Sequence, residues 1–113
     1  MILLATQDLM FSSRVSFAAE TRSRTIRISA ELPALMETLS RETCELLLID
    51  LESPGIALSK LLAAIPSREQ TFVIAYGPHV QTARLDAAQQ AGCDLVLSRG
   101  QFDRELDQIL AKH

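Results

Sequence analysis

The run Cys44-Glu45-Leu46-Leu47-Leu48-Ile49-Asp50-Leu51-Glu52-Ser53-Pro54-Gly55 decides the fold of this chain. Its apolar part shows no polar alternation, which is typical of a strand in a parallel sheet that helices cover on both faces. Asp50 ends the apolar run, and Pro54-Gly55 predicts the turn that follows. Open α/β sheets place their sites at the carboxyl ends of strands, so Asp50 is the first candidate functional residue.

The rest of the chain alternates between strand-like and helix-like segments. Apolar runs predict strands at residues 2–5, 25–28, 44–49, 71–75 and 94–97, and helical spacing predicts helices at 9–21, 31–41, 56–65, 81–91 and 102–111. Residues 25–28 alternate between apolar and polar, which indicates an exposed edge strand. We therefore predict one α/β domain over residues 1–113. Its architecture is a flavodoxin-like three-layer sandwich with a five-stranded parallel sheet in the order 2-1-3-4-5.

The composition excludes several classes of function. Of the 113 residues, 48% are hydrophobic and 4% aromatic, Trp is absent, and the net charge is −3. A slightly acidic chain with scattered Lys and Arg lacks the basic patch that nucleic acids require, and its aromatic residues are too few for base stacking. No segment has membrane-spanning length, and the first residues do not form a signal peptide. We therefore expect a cytoplasmic protein that contacts neither nucleic acid nor membrane.

Few residues suggest catalysis. Cys44 and Cys93 are too few and too apolar in their setting for a disulfide framework or a metal site, and we expect both to be buried. His79 stands alone in a loop, and no Ser-His-Asp or Cys-His arrangement is present. The first strand–helix loop has no glycine, which disfavours a nucleotide- or flavin-binding protein of the same fold without excluding it. We predict that the protein is not an enzyme.

The whole chain resembles the phosphoacceptor receiver domain of two-component response regulators. Residues 47–55 resemble the receiver's third strand, its phosphoacceptor aspartate and the Pro-Gly loop after it. Ala91-Gly92-Cys93-Asp94 resembles the Ala-Gly-Ala-Asp segment before the last receiver strand, and Phe102 lies near the place of a Lys-Pro-Phe run. The resemblance implies the receiver fold and places Asp50 at the phosphoacceptor position.

The residues that support phosphorylation in that family are mostly replaced here. The two acids that help to hold Mg²⁺ fall on Thr6 and Gln7, or on Gln7 and Asp8 if the match slides by one residue. The small Ser or Thr after the fourth strand falls on Tyr76, whose phenol would obstruct the pocket. The lysine after the fifth strand falls on Arg99, which keeps the charge but changes the geometry. The resemblance therefore implies a degenerate receiver, or pseudo-receiver.

Asp50 has two interpretations. It is either a phosphoacceptor or a carboxylate that remains from such a site and pairs with Arg99, and we favour the ion pair. Asp8 is expected to cap the first helix, which leaves Asp8 and Asp50 as weak candidates for Mg²⁺ ligands. We predict no cofactor, and Mg²⁺ is required only if Asp50 is phosphorylated.

The leading hypothesis is a signalling or regulatory module that acts by protein–protein contact. One alternative is an active phosphoacceptor receiver with Asp50 as its nucleophile, and a second is the nucleotide- or flavin-binding protein. The expected partner is a histidine kinase or a separate output protein, with a homodimer through the last two helices as a further option. The predicted contact residues are Tyr76, Arg84, Asp103, Arg104 and Asp107.

Overall fold

The computed structural model describes residues 1–113 and contains one parallel sheet in the strand order β2-β1-β3-β4-β5. The strands are β1 (Ile2–Ala5), β2 (Ile26–Ser29), β3 (Leu46–Asp50), β4 (Phe72–Gly77) and β5 (Leu95–Ser98). The helices are α1 (Leu9–Thr21), α2 (Leu32–Arg41), α3 (Leu58–Ala63), α4 (Thr82–Gln90) and α5 (Arg99–Lys112), and a short 3₁₀ turn (Arg68–Gln70) precedes β4. The predicted fold class and strand order are confirmed. No helix is both long enough and apolar enough to cross a membrane.

Helices cover both faces of the sheet, because alternate residues of each strand point to opposite sides. Leu46 and Leu48 of β3 pack in a core cluster with α1 and α5. Leu47 and Ile49 pack in a second cluster with residues of α2, α3 and α4. Every residue of β3 is buried, which explains why its sequence shows no polar alternation.

The edge strand β2 is the most exposed of the five, as its alternating pattern predicts. Arg27 points to solvent, and its Nε lies 3.0 Å from Glu42 Oε2. A charged side chain on an edge strand disfavours pairing with a strand from another molecule. The charged Arg27 side chain therefore protects this edge of the sheet against pairing with another chain.

The last helix begins three residues earlier than the sequence predicts. Ser98 Oγ accepts a hydrogen bond of 3.1 Å from the Gln101 N–H, and Gln101 Oε1 accepts one of 2.9 Å from the Ser98 N–H. This reciprocal pair is a capping box, which starts the helix at Arg99. Arg99 is thus the first residue of α5 rather than a loop residue. The direction of its side chain is therefore set by the helix.

The two cysteines are free and buried, as expected. Burial raises the pKa of the Cys44 thiol to about 11. Its Sγ donates a hydrogen bond to the Leu46 carbonyl at 3.3 Å. A buried thiol with a raised pKa is inert, so Cys44 belongs to the core and not to a reactive site.

Candidate functional site

The carboxyl ends of three neighbouring strands bring Thr6, Asp50 and Tyr76 to the same edge of the sheet. Thr6 follows β1, whose last residue Ala5 pairs with Ile49 of β3, and Asp50 pairs with Tyr76 of β4. By the alternation of the strands, Asp50 and Tyr76 point to the layer of α1 and α5. Asp50 is only 3% exposed. The candidate site is therefore an enclosed carboxylate and not an open cleft.

The Asp50 carboxylate accepts three hydrogen bonds. Thr6 Oγ1 donates to Oδ2 at 2.7 Å, and Ser53 Oγ donates to the same oxygen at 3.3 Å. The backbone N–H of Glu52 donates to Oδ1 at 2.9 Å. None of these donors carries a formal charge. The cost of burying the carboxylate is thus offset by oriented dipoles rather than by an ion pair.

The loop after β1 fixes the direction of both hydroxyls. The N–H of Asp8 donates to Thr6 Oγ1 at 3.0 Å, and the N–H of Gln7 donates to Ser53 Oγ at 2.9 Å. Each hydroxyl oxygen therefore accepts a hydrogen bond from an amide N–H and donates its own hydrogen bond to Asp50. Gln7 takes part through its backbone alone, since its side chain is exposed.

Arg99 pairs with Asp8 and not with Asp50, so the predicted Asp50–Arg99 ion pair is wrong. Arg99 Nη2 donates to Asp8 Oδ2, and the guanidinium carbon lies 4.6 Å from the centroid of the Phe11 ring, in a cation–π contact. The reason is the early start of α5, which directs Arg99 to the first turn of α1. Asp8 caps that turn as predicted, because its Oδ1 accepts from the Phe11 N–H at 2.9 Å.

Tyr76 is completely buried, so its predicted role as a surface contact is wrong. Its ring stacks on Phe102 with centroids 4.4 Å apart and planes at 3°, and the Phe11 centroid lies 5.4 Å away. These three rings, the aromatic cluster, fill the space between Asp50 and the two helices. Burial, and then the charge of Asp50, raise the pKa of the Tyr76 phenol well above its usual value. The phenol oxygen has no hydrogen-bond partner.

We expect Tyr76→Phe to leave the free energy of unfolding unchanged or to raise it by about 1 kcal/mol. A buried hydroxyl without a partner loses its hydration and gains no hydrogen bond in exchange, so its removal lifts a penalty. Urea unfolding of the two proteins measures the difference. A loss of stability above about 1 kcal/mol would mean that the hydroxyl is hydrogen-bonded in the folded protein.

The pKa of Asp8 is lowered, first by the hydrogen bond from the Phe11 N–H and then by the hydrogen bond from Arg99. Because the pKa in the folded protein lies below the unfolded value, this stabilisation is complete above the unfolded pKa. It is lost as the pH falls through the folded pKa.

Asp8→Asn keeps a capping side chain but removes the charge, so we expect it to cost roughly 0.5–1 kcal/mol at neutral pH. The cost should vanish in acid, where Asp8 is protonated. Urea unfolding across the acid range tests this. Asp86→Asn, at an exposed position of α4 without an ion pair, is the control and should cost nothing measurable at any pH. A cost of Asp8→Asn that persists unchanged in acid would contradict the assignment.

The residues around Asp50 do not fit the Mg²⁺ ion that the receiver resemblance implies. Nowhere in the chain do three or more His, Cys, Asp or Glu side chains converge as metal ligands. Asp8, a second acid at this edge of the sheet, already accepts hydrogen bonds from Phe11 and Arg99. Mg²⁺ dehydrates reluctantly and needs carboxylate charge in compensation. The site therefore offers one buried carboxylate that three hydrogen bonds already stabilise.

The other predicted contact residues lie on α4 and α5. Arg84 donates to the Leu51 carbonyl at 3.0 Å and so joins α4 to the loop after β3. Asp103 pairs with Arg14 of α1. Arg104 and Asp107 are exposed, and neither forms an ion pair. Two of the four side chains thus have intramolecular roles, and Arg104 and Asp107 remain available for contact.

Sequence reasoning missed Ser53 and the part that Phe11 plays. Ser53 follows Asp50 by three residues in a turn, where its N–H donates to the Asp50 carbonyl at 3.2 Å. A Ser three residues after an aspartate in a turn can return its hydroxyl to the aspartate side chain, and this pattern is present in the sequence. Phe11 lies in the predicted helix over residues 9–21, but nothing local predicts that its ring also contacts the Arg99 guanidinium.

No protein-family model matches this sequence, and no curated protein matches it either. Solved structures do match. The receiver domain of a sensor histidine kinase from Pseudomonas aeruginosa, with a magnesium ion in its active-site cleft, is 14% identical, with a TM-score of 0.76 and coverage of 98% of this chain and 97% of that one. The receiver domain of the TMAO respiratory response regulator TorR is 17% identical, with a TM-score of 0.83 and coverage of 97% and 92%.

The receiver domain of NtrX from Brucella abortus is 12% identical, with a TM-score of 0.77 and coverage of 100% of both chains. At such low identity the similarity is one of fold. The chain has the receiver fold over its whole length, as the resemblance in its sequence implies.

Proposed function

We propose that this chain is a receiver-like signalling module that acts by protein–protein contact and does not undergo Mg²⁺-dependent phosphorylation at Asp50. The observation that carries the proposal is the hydrogen-bond set of Asp50. Two oriented hydroxyls and one amide donate to a carboxylate that is 3% exposed, so three of its roughly four lone-pair positions are used. A nucleophile held in this way is shielded from a phosphodonor by the residues around it.

Phosphoryl transfer needs positive charge beside the transferring group. The nearest basic side chain of the site, Arg99, is held by Asp8 and by the Phe11 ring. No group of three or more His, Cys, Asp or Glu side chains surrounds Asp50 to hold a metal. The aromatic cluster also occupies the volume next to Asp50 on the side of α1 and α5. These features support a fixed conformation that does not depend on phosphorylation.

A fixed receiver fold can signal only through its surface. The proposed partners are proteins, either a histidine kinase or a separate output protein, and the chain itself catalyses nothing. Arg104 and Asp107 of α5 are exposed charges without intramolecular partners, which makes them the natural polar contacts for such a protein.

The loop after β1 disfavours the nucleotide- or flavin-binding alternative. A phosphate at a helix N-terminus is held by free backbone N–H groups. Here the N–H groups of Gln7, Asp8 and Phe11 already bind Ser53, Thr6 and Asp8 in turn. These N–H groups of the loop after β1 are therefore not free to bind a phosphate.

Titration with Mg²⁺, followed by the amide NMR signals of the 15N-labelled protein, tests the proposal. We expect no saturable shift at Thr6, Asp8 or Asp50, and the same response from wild type and Asp50→Asn. Saturable shifts at these residues that Asp50→Asn abolishes would favour the active phosphoacceptor receiver and would contradict the proposal.

A further inference from the structure

Helix α1 presents an apolar face that nothing in the fold covers. Leu9, Met10 and Phe17 are 81%, 87% and 74% exposed. The other exposed large apolar side chains are scattered: Ile28 lies on β2, Met36 on α2 and Val80 in the loop before α4. No large apolar side chain of α4 or α5 is exposed to this degree. The apolar surface of the molecule is therefore concentrated on α1.

The spacing along α1 places these side chains on one stripe. Met10 and Phe17 are seven residues apart, which is nearly two helical turns, so they point the same way. The exposed Ser13 lies between them on the same face and is small enough to admit a closely packed helix. The neighbouring Arg14 does not repel a second helix strongly, because its charge is matched by Asp103 of the same chain.

We propose that the face of α1 binds a second copy of this chain, with the two α1 helices antiparallel around a two-fold axis. An axis midway between positions 13 and 14 sets Met10 opposite the partner's Phe17, and Phe17 opposite the partner's Met10. It also sets Ser13 opposite the partner's Arg14. The same patch on both subunits is self-complementary, as a two-fold interface requires.

The apolar area of the α1 face agrees with the binding of a second copy of this chain. Three large side chains exposed to this degree present on the order of 400 Å² of apolar surface, within the range in which the largest patch of a monomer often has a function. A standard interface buries about 800 Å² per subunit, of which a little more than half is apolar. Self-association through α1 would supply that apolar share. The proposal does not depend on the state of Asp50, and it places the dimer on α1 rather than on the last two helices.

Sedimentation velocity over a concentration series tests it with three variants of the full chain. Wild type should be a dimer that dissociates on dilution. Phe17→Asp should raise the dissociation constant at least about 100-fold. Val80→Asp changes an equally exposed apolar residue outside α1 and should leave the dimer intact. A wild type that stays monomeric at every concentration, or a dimer that survives Phe17→Asp but is lost in Arg104→Glu, would overturn the proposal.

Cross-linking gives a second readout that does not rely on loss of association. The native Cys44 and Cys93 are buried, so a short bis-maleimide should not link wild-type chains. Ser13→Cys should form a covalent dimer, since an axis between positions 13 and 14 leaves the two copies of position 13 offset by only about 1.5 Å along the helices. Ser40→Cys, on the exposed side of α2, is the matched control and should remain a single chain. Equal cross-linking at both positions, or none at position 13, would contradict the antiparallel α1 interface.

Discussion

Phe102→Ala is expected to destabilise the protein by about 3–5 kcal/mol, a large part of the stability of a small domain. Phe102 is completely buried, and its ring stacks face to face on Tyr76 with centroids 4.4 Å apart. It also lies 5.7 Å from the Phe11 centroid. Truncation removes the buried ring and leaves a cavity under α5, which rigid neighbours on the sheet cannot close. Urea unfolding should therefore show a much lower midpoint.

Phe102→Leu is the graded control for this prediction. It keeps an apolar side chain of intermediate size, so it should cost less than about half as much as the alanine variant. Similar costs for both variants would indicate that ring stacking, and not buried volume, dominates. A cost of Phe102→Ala below about 1 kcal/mol would contradict the packing of the aromatic cluster described here.

Thr6→Val should cost about 2 kcal/mol in wild type and clearly less when Asp50 is also changed to Asn. The threonine hydroxyl donates to a buried carboxylate at 2.7 Å, and hydrogen bonds to charged groups are worth more than neutral ones. Valine has nearly the same shape and no donor. In Asp50→Asn the side chain is neutral, so the lost bond matters less. The double-mutant cycle should give a coupling of at least about 1 kcal/mol.

Thr25→Val, at an exposed position before β2, is the matched control and should change stability by less than about 0.5 kcal/mol. If the stability effects of Thr6→Val and Asp50→Asn are additive in the double mutant, the Thr6 hydroxyl does not stabilise the Asp50 carboxylate. The hydrogen-bond explanation of the site would then fail, while the fold would be unaffected.

The fold could be predicted because each element carries its own local pattern. The buried run of β3 and the alternating β2 show in the sequence which strand is central and which is at the edge. The predicted start of α5 was wrong by three residues because the capping box consists of Ser98 and Gln101, which both precede the apolar stripe that begins at Phe102. Periodicity finds the buried face of a helix but not its first turn.

The site could be predicted only in part. Resemblance and strand position located Asp50 and its neighbours Thr6 and Tyr76 at one edge of the sheet. The partner of Arg99 could not be predicted, because the choice between Asp8 and Asp50 depends on where α5 begins and where α1 is capped. The burial of Tyr76 was missed for a similar reason. Its ring is covered by residues far away in sequence, one on α1 and one on α5.

The altered residues form one consistent arrangement when they are considered together. Thr6 gives Asp50 a hydroxyl donor at a position where active receivers are expected to have an acid. Tyr76 fills the pocket with a ring, and Arg99 turns away to Asp8. Each change replaces a group that binds metal or phosphoryl with one that packs or donates. These replacements support the proposal that the chain keeps one conformation without Mg²⁺ or a phosphoryl group.

Intact-protein mass spectrometry after incubation with Mg²⁺ and acetyl phosphate tests whether Asp50 is a phosphoacceptor. We expect the mass of the wild-type protein to stay unchanged, as the mass of Asp50→Asn does. The addition of one phosphoryl group to wild type, abolished by Asp50→Asn, would contradict it and would identify Asp50 as a working phosphoacceptor.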